Sequence, residues 1–415
     1  MQYFEKISET TILVSATAAS AMAVIAVYYV FTVSQKPRIH TSNNRIRNFL
    51  QDRVKTLDDK YYPSIYFWEG RLQSVMGLRL RLSPTFKLPY RREIVPLSDG
   101  GEVGIDFMEP DEKNVKGPPL KVFLLPGLTS SSQTSYIKTL AMCILKAGAT
   151  VIVFNHRGLG GVPIKTPRLY SASNCDDVSE VVAYLKKKYP GERMIAIGTS
   201  MGGMVFCQYI IQNPEEARET FICAMAISIC WDAVNGVANL EKPFVNHYII
   251  NYGLTQNLKF LSRKYREVLE VRDCWDFNKI LRSTNLREFD SSFTAPQFGF
   301  PSALDYYKSA NIVDDTEKFT IPVFGFSAAD DPMQPIECLP IEQAESPGSN
   351  LAMIVTMRGG HLGFLEGPLP LRKPFHYLER VVGDFVHAVR LYGEEMRGDK
   401  EVNDNSNTNS TCNHR

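Results

Sequence analysis

Short apolar segments alternate with helical patterns through most of the chain. The apolar segments, each of strand length, lie at 120–125, 150–154, 193–198, 223–228, 321–326 and 351–356. The helical patterns lie at 134–146, 176–188, 203–212 and 374–391. Continuous apolar strands that alternate with helices are typical of a mostly parallel sheet with helices on both faces. The pattern therefore predicts the α/β class with a central, mostly parallel sheet.

Two further features accompany this alternation. Glu93–Pro96 and Glu102–Phe107 surround Ser98-Asp99-Gly100-Gly101, which predicts a β-hairpin before the first parallel strand. The long interruption at about 230–318 is helical and rich in aromatic residues. We interpret it as a helical cap inserted into the sheet domain.

The segments around this core set the expected domain boundaries. Residues 36–60 are polar and predict a linker, and the aromatic-rich segment Tyr61–Val75 is expected to pack against the main body. The main domain is expected over 61–395. Residues 396–415 are polar and lack apolar periodicity, which predicts a disordered tail.

An apolar segment near the N-terminus predicts a membrane anchor. After the flank 1–9, no charged residue occurs from Thr10 to Gln35, and roughly 20 apolar residues suffice to cross a bilayer. A cleavable signal peptide is the alternative. The acidic residues Glu5 and Glu9 argue against it, as does an apolar run longer than a signal peptide carries. We therefore predict a single transmembrane helix over 10–35.

The basic residues after the anchor bear on its orientation. Four of them follow it, at Lys36, Arg38, Arg45 and Arg47. The excess of Lys and Arg on the cytosolic side of membrane proteins would keep the catalytic domain in the cytosol.

Composition narrows the classes of partner. With 46 Lys+Arg against 45 Asp+Glu, the chain has no global basic character, so we expect no nucleic-acid partner. The 8 cysteines form no C-x-x-C pair or regular spacing and are interpreted as reduced, buried side chains. No cysteine–histidine cluster has ligand spacing, so zinc is not expected. We expect no other metal and no cofactor.

Candidate chemistry begins at Gly198-Thr199-Ser200-Met201-Gly202, which fits the G-x-S-x-G nucleophile elbow. By chance the pattern occurs in roughly one chain in seven or eight of this length. Here it follows a predicted strand and precedes a predicted helix, as the motif requires. Side chains at Gly198 or Gly202 would collide with the neighbouring backbone of so sharp a turn. We predict Ser200 as the nucleophile.

An acid and a base should follow Ser200 in the order Asp, His. Asp330 and Asp331 follow strand 321–326, where loops at the carboxyl ends of parallel strands form the active-site rim. The two are barely separable from sequence, and Asp331 is the one favoured. His361 follows strand 351–356 between Gly360 and Leu362, and its imidazole can exchange protons near neutral pH.

The tetrahedral intermediate of acyl transfer requires two N–H donors for its oxyanion. One is expected from the backbone of Met201, directly after the nucleophile. The other is expected from Leu128, in the segment Pro126-Gly127-Leu128-Thr129 that follows strand 120–125.

Several motifs more specific than G-x-S-x-G resemble subfamily 4 of the AB hydrolases. They are PGLTSSSQTSYI, FNHRG with KTPRLY, GTSMGGM, LREFDSSFTAPQFGF, DYYKSAN, the ADDP loop and GGHLGFLEG, spread over about 61–391. The resemblance implies the α/β-hydrolase fold and a triad of Ser200, Asp331 and His361. It also implies single-pass membrane proteins, one of them a phospholipase acting on phosphatidylcholines. Members are commonly drawn with a short cytosolic N-terminus, which conflicts with the charge argument and leaves orientation open.

We thus expect a membrane-anchored serine hydrolase of lipid acyl esters, with a phospholipid substrate and the bilayer as partners. The alternatives are a carboxylesterase or thioesterase on small acyl groups, an acylglycerol lipase, and an inactive membrane scaffold. Aromatic and aliphatic residues of the cap segment 243–261 are candidates to line an acyl channel. Cap residues Lys259, Arg263, Lys264 and Arg266 are candidates to meet a phosphate, the alternative being a solvated helical face.

Overall fold

The computed structural model describes residues 2–81, 86–111, 115, 117–270, 275–367 and 375–396. Most of the predicted tail 396–415 lies outside the described residues, as does Pro374, the predicted start of the last helix. Cys274 and Cys412 lie outside them as well.

The described residues form one nine-stranded sheet in the order β1-β9-β8-β7-β6-β4-β5-β3-β2. The strands are β1 (Arg38–His40), β2 (Arg91–Pro96), β3 (Glu102–Met108), β4 (Lys121–Leu125), β5 (Thr150–Asn155), β6 (Met194–Thr199), β7 (Phe221–Ile227), β8 (Val323–Ala328) and β9 (Leu351–Thr356). Strands β4 to β9 pair in parallel, whereas β1, β2 and β3 pair antiparallel at the two edges. The predicted mostly parallel sheet is confirmed.

Helices cover both faces of this sheet. Outside the cap they are α1 (Gln2–Tyr28), α2 (Asn44–Arg53), α3 (Gly70–Arg79), α4 (Ser135–Lys146), α5 (Asp176–Lys188), α6 (Met201–Gln212), α7 (Pro214–Thr220), α15 (Ile341–Glu345) and α16 (Tyr377–Tyr392). Between β7 and β8 lie α8 (Ala233–Leu240), α9 (Tyr252–Lys264), α10 (Arg266–Leu269), α11 (Phe277–Arg282), α12 (Leu286–Phe289), α13 (Ala295–Gln297) and α14 (Ala303–Ala310). Wider π-helical turns occur at Tyr29–Val33, Asn246–Asn251 and Asp290–Thr294.

The central strands are buried on both sides because their side chains are apolar at nearly every position. Residues of β6, β7, β8 and β9 are buried throughout. One core packs the sheet against α5 and α6, and the other packs it against α4 and α16. Because these strands are buried on both faces, their sequences are continuously apolar and do not alternate between apolar and polar residues.

The segment 36–60, predicted as a polar linker, is folded. Strand β1 pairs with β9, and Asn43 caps α2 by accepting the N–H groups of Arg45 and Ile46. Helix α2 buries Ile46, Phe49 and Leu50 in the same core as α16. The apolar face was missed because polar and charged residues dominate the composition of this short helix.

A buried ion pair joins the N-terminal segment to the sheet domain. The Arg81 Nε donates to Glu379 Oε1 at 2.7 Å, and both side chains are completely buried. Arg81 also donates to the carbonyl oxygens of Leu362 and Gly363. Thr139 Oγ1 donates to the same Glu379 oxygen, and the Glu379 pKa is lowered by Arg81 against the effect of burial. The pair therefore links α4, α16 and the loop after β9.

One helix among the described residues, Leu13–Val33, is long and apolar enough to cross a membrane. Its apolar side chains are exposed along its length, whereas Val33 and Ser34 at its end are buried against the main domain. A helix that exposes apolar side chains on all sides is typical of a lipid environment rather than of an aqueous surface.

Replacing Glu379 with glutamine should destabilise the protein strongly, because the buried Arg81 would lose its counter-charge. We expect a loss of about 3–5 kcal/mol, measured as a lower thermal unfolding midpoint by tryptophan fluorescence. The matched control is Glu395→Gln, which removes the exposed partner of Arg53 and should cost no more than about 1 kcal/mol. Equal effects of the two substitutions would contradict the role given to the buried pair.

Candidate active site

Ser200 lies in the sharp turn between β6 and α6. Its φ of 49° is in the left-handed region, which non-glycine residues rarely adopt. The Ser200 N–H donates to the carbonyl oxygen of Ile227, and its own carbonyl accepts from Gly203 and Met204. These bonds hold a strained residue at the carboxyl end of the sheet, as is common at functional sites.

The predicted reason for glycine at positions 198 and 202 agrees with the contacts. A Cβ at Gly198 would lie 2.3 Å from the Gly203 Cα. A Cβ at Gly202 would lie 2.4 Å from the carbonyl oxygens of both Leu125 and Pro126. Such distances are too short for any side chain, so the turn closes only with glycine at both positions.

The structure brings Ser200, His361 and Asp331 together. His361 Nε2 lies 2.9 Å from Ser200 Oγ, and His361 Nδ1 lies 2.9 Å from Asp331 Oδ2. The carboxylate at Nδ1 favours the tautomer whose Nδ1–H donates to Asp331, which leaves Nε2 to accept the Ser200 hydroxyl proton. This is the hydrogen-bonded order that nucleophile activation requires.

The two adjacent aspartates have different partners. Asp331 is buried, and its Oδ1 accepts the backbone N–H groups of Met333 and Gln334, which fix the carboxylate facing the imidazole. Asp330 Oδ1 instead accepts the Gly360 N–H at 2.9 Å. Burial raises the pKa of Asp330 to about 6. Asp331 is therefore the carboxylate in contact with His361, and Asp330 holds the loop that carries it.

Two tyrosines hold the loop that is predicted to supply the second oxyanion donor. The Gly127 N–H donates to the Tyr136 hydroxyl at 2.9 Å, and the Thr129 N–H donates to the Tyr170 hydroxyl at 3.1 Å. Tyr136 is buried and Tyr170 is half-buried, and this removal from water raises the pKa of each tyrosine.

Leu128 lies between these two tethered residues and lines the same cavity as Ser200 and Met201. A Cβ at Gly127 would be 3.0 Å from the Ser200 Cβ, so this loop passes directly over the nucleophile. Both residues predicted as donors, Leu128 and Met201, thus line the cavity at Ser200.

Ser200 opens into a cavity between the sheet and the helices that lie between β7 and β8. Its lining is mainly apolar and includes Met204, Val237, Leu240, Leu258, Leu286 and Met333. Its polar lining residues include Asp290, which accepts hydrogen bonds from Thr294 Oγ1 at 2.6 Å and from the Tyr307 hydroxyl at 2.8 Å. Burial raises the Asp290 pKa to about 6.

Three other residues considered in the sequence analysis make contacts that stabilise the fold. Lys259, considered as a phosphate ligand, is buried and donates to the Ser283 carbonyl oxygen at 2.7 Å, so it ties α9 to the end of α11. Arg266 pairs with Glu270 on the surface. His156 is buried and stacks on Tyr170, with ring centroids 4.3 Å apart.

Sequence reasoning missed the residues that support the site. Ser74 Oγ accepts the His361 N–H at 2.8 Å, and no local pattern in α3 marks that serine. Tyr136, Tyr170 and Asp290 all lie within motifs that were noticed, namely SQTSYI, KTPRLY and LREFDSSFT. Their roles emerge only when the loops are brought together. Within the described ranges, no group of three or more His, Cys, Asp or Glu side chains is arranged to hold a metal.

Comparison with known proteins identifies the family. The family model described as alpha/beta hydrolase fold matches residues 122–368. This chain belongs to that family. It is 32% identical over 374 residues to human "Phospholipase ABHD3", covering 89% of each chain. It is 24% identical over 383 residues to "Monoacylglycerol lipase ABHD2" of Danio rerio, covering 88% of this chain and 90% of that one.

Two solved structures align with this chain at low identity. The 2,6-dihydroxy-pseudo-oxynicotine hydrolase is 16% identical with a TM-score of 0.47, over 78% of this chain and 72% of that one. The Pyrococcus furiosus esterase Pf2001 is 18% identical with a TM-score of 0.44, over 69% of this chain and 90% of that one.

Replacing each of the two adjacent aspartates with asparagine in turn distinguishes their roles. Asp331→Asn should lower kcat by about 10⁴-fold, because the amide no longer holds the imidazole tautomer or stabilises the imidazolium. Asp330→Asn keeps an oxygen that accepts the Gly360 N–H, so we expect a loss within about tenfold. Ester turnover by the two purified variants provides the measurement. The opposite ranking would assign the acid to Asp330.

Proposed function

We propose that this chain is a membrane-anchored serine hydrolase that cleaves acyl esters of lipids, with phospholipase A-type hydrolysis of phosphatidylcholine as the favoured reaction. The observation that carries the proposal is the hydrogen-bonded line of Ser200, His361 and Asp331 beside an apolar cavity. In this proposal Ser200 is the nucleophile, His361 the general base and Asp331 the acid that orients it.

Acylation follows from these contacts. His361 Nε2 takes the hydroxyl proton as Ser200 Oγ attacks the ester carbonyl, and the new imidazolium is stabilised by Asp331. The carbonyl oxygen becomes an oxyanion and accepts the N–H groups of Leu128 and Met201. His361 then gives its proton to the departing alcohol oxygen, and the acyl group stays on Ser200.

Deacylation uses the same groups in reverse. His361 takes a proton from water, and the hydroxide equivalent attacks the acyl-enzyme carbonyl. The second oxyanion occupies the same two donors and collapses with Ser200 Oγ as the leaving group. The proton returns to Ser200 from His361, and a free fatty acid leaves.

The apolar cavity favours a lipid acyl group over a small polar ester. Burying each CH₂ of an acyl chain contributes about 0.8 kcal/mol, and the lining from α8, α9 and α12 supplies such contacts. The similarity to a phospholipase over 89% of both chains supports a phospholipid substrate. The weaker similarity to a monoacylglycerol lipase supports acylglycerols as the second candidate.

The anchor is proposed to be a single pass over 10–35, with the hydrolase domain over 61–395 and the cap at about 230–318. Tyr28 and Tyr29 at the end of the apolar helix pack on Trp68. The exposed residues Tyr62, Ile65 and Tyr66 follow in the segment that Tyr29 contacts through the Pro63 carbonyl. Such aromatic clusters are enriched at membrane–water interfaces. The proposed location therefore places the enzyme beside its substrate.

Ser200→Ala tests the nucleophile. The wild type should react covalently with a fluorophosphonate probe, and the alanine variant should not react because no hydroxyl remains. Phosphatidylcholine hydrolysis should fall by at least about a thousandfold. Full labelling of the variant at unchanged folding would exclude Ser200 as the nucleophile.

Comparing the turnover of phospholipid, monoacylglycerol and short acyl esters tests the proposed substrate class. Phosphatidylcholine in vesicles should be hydrolysed with a higher kcat/KM than a short p-nitrophenyl ester, since only the lipid fills the cavity. Monoacylglycerol turned over faster than phosphatidylcholine would favour the second candidate. Activity on short esters or acyl-CoA alone would indicate an esterase or thioesterase rather than a lipase. A folded protein without activity on any of these substrates would indicate a scaffold.

A further inference from the structure

The loop that carries His361 is in contact with the membrane-proximal part of the chain. We name residues 28–35 and 61–81 the juxtamembrane bracket. The bracket touches the His361 loop by two separate routes, one through side chains near Asp330 and one through α3. Neither route passes through Ser200 or the substrate cavity.

The first route is a line of polar contacts from the anchor to the residue before His361. The Arg358 Nη2 donates to the Tyr28 hydroxyl at 3.0 Å. The Arg358 Nη1 lies 3.6 Å from Asp330 Oδ2, with the two side chains 22% and 13% exposed. Asp330 Oδ1 accepts the Gly360 N–H at 2.9 Å. A guanidinium suits this position because its fork presents separate N–H groups to two partners.

The second route runs through the start of α3. Ser74 Oγ accepts the His361 N–H at 2.8 Å and donates to the Gly70 carbonyl at 2.7 Å. Trp68, two residues before Gly70, packs on Tyr28 and Tyr29 with ring centroids 6.4 Å and 5.9 Å away.

The bracket packs so closely against the Asp330 and His361 loops that no side chain fits at Gly70 or Gly360. A Cβ at Gly70 would lie 1.9 Å from the Asp330 carbonyl oxygen, and a Cβ at Gly360 would lie 2.0 Å from the Gly70 carbonyl oxygen. A shift of α3 relative to the sheet would therefore displace both loops.

The His361 loop needs such external support because its own backbone is permissive. Gly359 and Gly360 have φ values of 147° and 56°, and Leu362 follows at 60°. Two glycines lose much conformational freedom on ordering, so contacts outside the loop must select one geometry. An error of about 1 Å at a catalytic group can cost about a hundredfold in rate.

We propose that Arg358 is a positioning residue that, together with Tyr28 and Asp330, couples the end of the membrane anchor to the placement of His361. The inference rests on the proposed role of His361 as the general base. It predicts that a contact made by the anchor, outside the substrate cavity, changes kcat rather than KM. The bilayer-embedded helix thereby acts as part of the frame that holds the active site.

The test uses the full chain in nanodiscs of ether-linked phosphocholine, which holds the anchor but contains no ester to hydrolyse. With p-nitrophenyl butyrate as substrate, Arg358→Ala should lower kcat about tenfold with KM changed less than about twofold. Tyr28→Phe, which removes only a hydroxyl, should lower kcat about threefold. Arg358→Lys restores a cation beside Asp330 and should recover part of the loss.

Coupling is measured by combining the substitutions. If Tyr28 acts through Arg358, then Tyr28→Phe should have no further effect on kcat in the Arg358→Ala background. The matched control is Tyr29→Phe, which removes the neighbouring hydroxyl bound to the Pro63 carbonyl rather than to Arg358 and should leave kcat unchanged. Thermal unfolding midpoints identify any variant that fails to fold. If Arg358→Ala fails to fold, the kcat values of Tyr28→Phe and Arg358→Lys provide the test.

Unchanged kcat in Arg358→Ala or in Tyr28→Phe would overturn the proposal. A threefold effect of Tyr28→Phe that persists in the Arg358→Ala background would also overturn it, because the hydroxyl would then act by another path. Failure of the proposed function looks different: the wild type itself would not react with a fluorophosphonate in the same discs. If the wild type is labelled and the Arg358 and Tyr28 variants are fully active, the coupling alone is refuted.

Discussion

The site depends on one backbone turn, in which Ser200 holds a positive φ between a buried strand and a helix. That conformation is unfavourable for serine, and it persists because Gly198 and Gly202 let Gly203 and the end of β4 approach within contact distance. The same approach brings the Gly127 loop over the serine. The hydroxyl, the start of α6 and the Leu128 segment are therefore placed together by one close packing arrangement. A bulky residue at either glycine would separate all three.

Asp331 and His361, the proposed acid and base, reach Ser200 from the carboxyl ends of β8 and β9, which are neighbouring strands of the same sheet. Parallel pairing explains why two residues 30 positions apart, Asp331 and His361, share a hydrogen bond. Their loops are also fixed from outside the sheet. The buried Arg81–Glu379 pair and the Ser74 hydroxyl both attach the His361 loop to the N-terminal segment. The position of His361 is thus fixed both by the sheet and by the N-terminal segment that follows the apolar helix.

The sequence was informative wherever chemistry is local. Strand and helix order, the elbow around Ser200 and the loop positions of Asp331 and His361 all follow from short-range patterns, because apolar periodicity and glycine placement act within a few residues. Asp330 and Asp331 were nearly indistinguishable by pattern, since only the Gly360 and His361 contacts separate them. The folded segment 36–60 and the roles of Ser74, Tyr136 and Tyr170 depend on contacts between distant parts of the chain. A local sequence pattern cannot predict contacts of this kind.

If Ser200 is the nucleophile, hydrolysis of a lipid ester forms an acyl ester on Ser200 Oγ, and this intermediate can be trapped. The full-length protein is mixed with phosphatidylcholine vesicles, quenched in acid during turnover, digested and analysed by mass spectrometry. We expect a fatty-acyl adduct on the peptide that contains Ser200, and this adduct should disappear when hydrolysis is complete. Sustained release of fatty acid with the acyl group found on another residue, or on none, would contradict it.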